Sequence, residues 1–196
     1  MSRYLKIVML VLFYTTLVSA DTLIWSQQFK PSTEDGQNIF KITNKEIYPK
    51  DILSRKAGMQ DKWIAWAGIV KKVEYFESRY GPTAKVTIEH HFFDWIEDHG
   101  AQEELFFLSS RGEGDFDIFV PVNMQKPENE RIPLGIMAVV IGKPQVVIDK
   151  DNKSHLVVLT KYYDFIKKSA FRMDVFDYGR NGEPIHKVEN SIFWQK

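Results

Sequence analysis

The 196 residues carry 26 basic and 26 acidic side chains, a balance that excludes broad electrostatic attraction for nucleic acid or anionic lipid. There is no cysteine, which excludes a disulfide framework, a thiol nucleophile, a thiolate metal site and an acylated-cysteine anchor. Five Trp, eight Tyr and fourteen Phe remain to hold β-strands together, and the length suits one domain with a real core plus extensions.

Residues 1–20 read as a cleavable export signal. Arg3 and Lys6 form a basic start, Ile7 to Leu17 is apolar, and Val18, Ser19 and Ala20 are small residues before a cut at Asp21. The apolar run is too short for a bilayer core that takes roughly 20 residues, so no direct membrane span is expected. The mature chain, without Arg3 and Lys6, sets 24 basic against 26 acidic residues. An exported chain without disulfides fits the bacterial periplasm, with any outer-membrane association made through partners.

Residues 21–60 are weakly periodic and read as an N-terminal arm packing on the body or on a partner. LIWSQQF suits a short strand, and a short helix is expected after Pro49. Residues 61–168 read as the main domain. Trp63 to Phe76 is one long strand with Gly68 in its middle, where a bulge, a coil or a close backbone approach would need the missing side chain. SRYGP (78–82) turns the chain, and Ala84 to Ile96 is a second strand. Val86, Ile88, His90 and Phe92 share one face of it, and Lys85, Thr87, Glu89 and His91 the other. Glu104 to Val122 is a third strand region, interrupted by a bulge or tight hairpin at SSRGEGD (109–115). Leu134 to Ile141 is nearly all apolar and should be buried on both faces. DKDNKS (149–154) forms a hairpin loop before His155 to Ile166 returns.

This order predicts a mainly β protein: a five-stranded OB-like Greek-key β-barrel, with a β-sandwich as the alternative. Residues 169–196 form a C-terminal extension packing on the barrel or a partner. It holds one strand, RMDVFDY (172–178), an Asn181-Gly182 turn and an apolar end at Ile192, Phe193 and Trp194.

The run WAGIVKKVEYF (66–76), FFDWIED (92–98), RGEGDF (111–116), LGIMAVVIGKP (134–144) and YYDFI (162–166) resembles the Slp family of small bacterial outer-membrane lipoproteins. The likeness spans roughly Trp63 to Ile166 and rests on glycines and aromatics. It implies a barrel of this kind in an envelope protein near the outer membrane, without known catalysis. The lipidated cysteine is missing, so lipid anchoring does not carry over.

His90, His91, Asp94, Asp98 and His99 hold metal-ligand chemistry, but adjacent strand residues point apart. A His90 bonded to backbone is therefore expected, with no metal and no cofactor. Glu113 and Asp115, flanking Gly114 beside Arg111, form a carboxylate pair with acid/base potential. The plainer reading is an ion-paired bulge satisfied by Arg111. Ser109 and Ser110 lack a nucleophile-elbow context, and His155 and His186 are remote in sequence. Tyr75, Phe76, Tyr80, Tyr162 and Tyr163 are candidates for an aromatic platform. Lys71-Lys72 and Lys167-Lys168 are adjacent basic pairs, and such pairs are too few for nucleic acid. A glycan remains possible on such a platform. Tyr178, Arg180 and Glu183, at the YGRNGEP tip, suit a rim contact with another subunit.

The expectation is a non-enzymatic docking protein whose partners are other envelope proteins, in an assembly such as a secretion-system core complex. The binding residues would be Tyr162, Tyr163, Tyr178, Arg180, Glu183, Arg111 and Glu113. A periplasmic glycan-binding module, or a hydrolase using Glu113 and Asp115, are the alternatives.

Overall fold

The computed structural model describes residues 25–54, 58–99, 104–124, 131–167, 171–174, 176–178 and 184–187. Strand β2 (Ile64–Ser78) is the ribbon on which the others close. Its first part pairs antiparallel with β7 (Met137–Ile148), from Ile64↔Gly142 to Ile69↔Met137. Its second part pairs antiparallel with β3 (Gly81–His91), from Ala67↔His91 to Ser78↔Gly81. Between Ala67 and Ile69 the strand is flanked on both sides. Strand β6 (Asp115–Pro121) continues from β3, and β8 (Ser154–Ile166) lies against β7. One parallel bridge, Asp117↔Val157, joins β6 to β8. The barrel is closed in the order β2-β3-β6-β8-β7.

Gly68 sits in the doubly flanked part of β2. A Cβ placed there would lie 2.2 Å from the carbonyl oxygen of Glu89, so the glycine is needed for close approach. The β2 bulge falls further along, between Val70 and Lys72. It inserts Lys71 as an extra residue, which lets Lys71 and Lys72 both face solvent despite being neighbours.

Two cores result. Inside the barrel lie Trp66, Val86, Ile88, Phe116, Ile118 and Val140. Outside, Ala65, Ala67, Met137, Val139 and Ile141 carry a second cluster with Phe93, Trp95 and Leu108. The front of β2 and the front of β7 are thus buried on both faces, as expected for most of the nearly all-apolar run from Leu134 to Ile141, although Leu134 itself is 64% exposed. Among these, residues 136–141 are all buried.

The second cluster lies beneath another sheet, ordered β1 (Trp25–Gln28), β4 (Phe93–His99), β5 (Glu104–Ser109) and β9 (Phe171–Asp174). Here the structure corrects the strand reading. The expected strand 84–96 divides after His91: β3 stays in the barrel and β4 leaves it. The expected third strand region divides too, with β5 in the outer sheet and β6 in the barrel. The segment at 109–115 is neither a bulge nor a hairpin within one strand but a crossing between the two sheets. It runs directly over the end of β3, with His90 N–H bonded to Gly114 O at 2.8 Å and Phe92 N–H to Arg111 O at 3.0 Å. Strand β4 is bent at Trp95, whose φ of 65° is unusual for a bulky residue. The pairing with β5 shifts register there, and the indole turns into an aromatic group with Phe29, Phe40 and Phe93.

The arm is built into both cores. Helix α1 (Glu34–Phe40), capped by Thr33 Oγ1 at Gly36 N–H, delivers Phe40 to the outer cluster. Helix α2 (Pro49–Leu53) has its proline in the first turn, as expected, and places Ile52 in the barrel core beside Ile47. The Trp66 indole N–H donates to Ile47 O at 2.7 Å. In the tail, the expected single strand 172–178 is two: β9 pairs parallel with β5, and β10 (Phe176–Tyr178) pairs antiparallel with β11 (Pro184–Lys187). The Asn181-Gly182 turn and Ile192 to Trp194 lie outside the described residues. Among the described residues no helix is long and apolar enough to cross a membrane.

Candidate functional site

The outer face of β3, β6 and the second half of β2 carries side chains that belong to neither core. Period-2 alternation sends Val86, Ile88, Phe116 and Ile118 inward, and Lys85, Thr87, Asp117 and Phe119 outward. Cross-strand register sets Thr87 opposite Asp117 and Lys85 opposite Phe119. The Thr87 hydroxyl donates to the Asp117 carboxylate at 2.6 Å, and Lys85 Nζ reaches the other oxygen at 3.0 Å. Asp117, itself buried, is fully engaged by these two neighbours.

The other lysines are matched as well. Lys71 bonds Asp115 at 3.1 Å and lies 4.0 Å from Glu89, and Lys72 meets Glu74 at 3.0 Å. The hydrogen bond from Lys71 to Asp115 raises the pKa of the ammonium, and that from Lys72 lowers the pKa of Glu74. These exposed pairs contribute little stability, but they shape the potential. Four carboxylates face three ammonium groups here, so a polyanion meets no unbalanced positive charge.

Beside the charges stand two exposed rings. Phe76 and Phe119 are 41% and 46% accessible and meet edge to face, 6.2 Å between centroids at 86°. At the tip joining β2 to β3, Tyr80 is 84% exposed with the Arg79 guanidinium 4.6 Å over its ring. Phe76 and Tyr80 were among the platform candidates of the sequence. Phe119 and Asp117 were not, although the alternation in FDIFVPV places both on this side.

The residues expected to bind are dispersed. Tyr162 is buried in the outer cluster, and its hydroxyl accepts Ser32 N–H at 3.1 Å and lies 3.2 Å from Ser32 Oγ. Burial raises its phenol pKa. It fastens the arm to the barrel, and Tyr162→Phe should cost about 1 kcal/mol, read as a lowered denaturant midpoint. An unchanged midpoint would show that the hydroxyl holds nothing. Tyr163, its strand neighbour, lines a cavity at the end of the barrel, and both tyrosines also border a second, open cavity with Ser32, Thr33 and Gly36 of the arm. Tyr178 lies in β10, and Arg180 and Glu183 are outside the described residues.

The carboxylate pair is also separated. Gly114, at a φ of 97°, breaks the extended geometry between Glu113 and Asp115. Glu113 is buried and accepts Lys50 N–H at 3.2 Å, whereas Asp115 is exposed on Lys71. The Glu113 N–H donates to His90 Nδ1 at 3.2 Å. Arg111, exposed on the crossing segment, donates its backbone N–H to Ser109 Oγ at 3.1 Å. The i, i+2 spacing therefore does not create a shared acid/base site.

His90 is 2% exposed and, as expected, bonded to backbone. Burial, with a contribution from neighbouring His91, lowers its pKa to about 3, so it is neutral with its proton on Nε2. His91, also buried, uses Nδ1 on the Ser109 carbonyl at 2.8 Å, which makes that nitrogen a donor. Among the described residues no three His, Asp or Glu side chains converge to hold a metal.

A closed five-stranded barrel in which the third strand neighbours the fifth, in parallel, and the fourth returns to the first defines this chain as an OB-type β-barrel. No family model matches the chain, and no curated protein matches it. Among solved structures it is similar to the small single-stranded DNA-binding protein of Streptomyces coelicolor, at 13% identity and a TM-score of 0.34, over 53% of this chain and 90% of that one.

Proposed function

We propose that this chain is a non-enzymatic docking module of the bacterial cell envelope. In this reading it is exported to the periplasm by a cleaved signal and held near the outer membrane by protein partners. A multi-protein assembly such as a secretion-system core suits it, in keeping with the resemblance to Slp lipoproteins and the missing lipidated cysteine. The observation that carries the docking reading is the outer face of β2, β3 and β6. Strands 2 and 3 of an OB barrel are the usual binding surface, and here that surface pairs its lysines with carboxylates and presents Phe76 and Phe119. Exposed aromatic rings ringed by satisfied charges suit the apolar anchors of a protein partner. A flat sugar needs rings lying in one plane, and these two stand perpendicular, which favours a protein over a glycan.

The test uses full-length chain in its own envelope. A photo-crosslinking residue at position 119 should trap a defined partner, and detergent-solubilised envelopes should yield the chain with proteins in fixed proportion. Phe76→Asp should abolish the adduct from position 119, and Phe76→Asp with Phe119→Asp should abolish co-purification, while leaving the fold intact, since neither ring belongs to a core. A lone periplasmic monomer with no adduct from position 119 would overturn the reading.

A further inference from the structure

The barrel closes unevenly. Beyond the single bridge Asp117↔Val157, β6 stops at Pro121, which has no N–H to donate, while β8 runs on to Ile166 along β7. A cavity of about 220 Å³ opens where the two strands part. Its apolar wall is Tyr75, Val122, Tyr163 and Phe165, with Asn123 and Arg131 as polar members. Among the described residues no Asp or Glu lines it.

Arg131 sets the chemistry. Its guanidinium lies 5.4 Å from the Tyr75 ring centroid, and its Nε is shut off from water without a hydrogen-bond partner among the described residues. A buried donor left unmet is destabilising, more so on a charged group. Tyr75 Oη accepts the Ile132 N–H at 3.1 Å, which leaves its own hydroxyl proton free to donate into the same space. The site thus joins one permanent cation and a phenol donor to aromatic walls.

From this arrangement we infer that the cavity between the ends of β6 and β8 binds a small monocarboxylate with an apolar body, its carboxylate on Arg131 and its body between Tyr75, Tyr163 and Phe165. A guanidinium matches the two oxygens of a carboxylate. With no second cation among the described residues of the lining, a phosphate dianion would keep uncompensated charge against apolar walls. The volume is below the 300–1,000 Å³ typical of drug-sized sites, which sets the ligand at the size of a phenylalkanoate. The site is independent of the docking face and stands or falls without it.

The probe is 3-phenylpropanoate, titrated into the full chain by calorimetry and ligand-observed NMR. Its neutral counterpart 3-phenylpropanol and inorganic phosphate serve as controls. Phenylpropanoate should bind at least about tenfold more tightly than either control, because only it satisfies both cation and walls. Arg131→Gln should remove that preference, with thermal unfolding confirming that the variant is folded. If that variant does not fold, Tyr163→Ala, a change at a partly exposed ring, should weaken phenylpropanoate at least about fivefold. No binding, equal binding of acid and alcohol, tighter binding of phosphate, or full retention in a folded Arg131→Gln would each overturn the site.

Discussion

Alanine at Gly112 should destabilise the protein by at least about 3 kcal/mol, at the upper end of what overpacking costs, and either unfold it or collapse its denaturant midpoint. The reason is contact, not conformation. A Cβ at residue 112 would lie 1.5 Å from the His90 carbonyl oxygen and 2.6 Å from its carbon. Both are backbone atoms, so no flexible side chain can swing away. Relief would require lifting the crossing segment off the end of β3, and that breaks the bonds from His90 N–H to Gly114 O and from Phe92 N–H to Arg111 O. It would also strip His90 of its Glu113 N–H. Gly114, two residues on, is the informative control. It has a φ of 97° and nothing within 4 Å of an added Cβ, so Gly114→Ala should cost only about 1 kcal/mol through backbone strain. Tryptophan fluorescence through a urea titration reads both variants. If Gly112→Ala proved as mild as Gly114→Ala, the crossing would not be as close as described.

Acid should weaken the fold through His90. The folded chain keeps this imidazole neutral down to about pH 3, against an ordinary value of 6.5. Between those limits the unfolded chain binds the extra proton and the folded chain does not, so stability falls as pH falls. The contribution is complete above about pH 6.5 and declines toward pH 3. The whole gap corresponds to on the order of 5 kcal/mol, of which roughly 3 kcal/mol would be lost between pH 7 and pH 4. His90→Gln keeps an acceptor for the Glu113 N–H but has no proton to gain. Its stability should therefore be lower than that of the parent at pH 7 yet fall less between pH 7 and pH 4. Equal acid losses in parent and variant, measured by urea titration at the two pH values, would remove His90 as the source.

Both predictions arise at one place, where the chain passes between its two sheets, and that place was the least legible in the sequence. The alternation from Val86 to Phe92 correctly separates inner from outer side chains, and it continues through Phe92 without a sign that the strand leaves the barrel. The departure is decided by residues about twenty positions later, when Arg111 and Gly114 take the backbone groups of Phe92 and His90. The glycines of SSRGEGD advertised a special backbone but not what it would pass over. Tyr162 and Tyr163 illustrate the same limit. As strand neighbours they had to point apart, yet only the placement of Ser32 and Gly36 from the arm shows which of them is covered.

Local rules were enough for the rest of the architecture. Periodicity, turn residues and a glycine in a long apolar strand lead to a five-stranded barrel closing on its first ribbon, because strand alternation and chain reversal depend on near neighbours. The all-apolar stretch before Gly142 likewise announced burial on two sides, since water exposure on either would leave a polar stripe. The second sheet, the parting of Glu113 from Asp115 and the cavity at Arg131 came from tertiary structure alone. Each depends on segments far apart in the chain meeting at one point, and the free energy of such a meeting is written in no single stretch of residues.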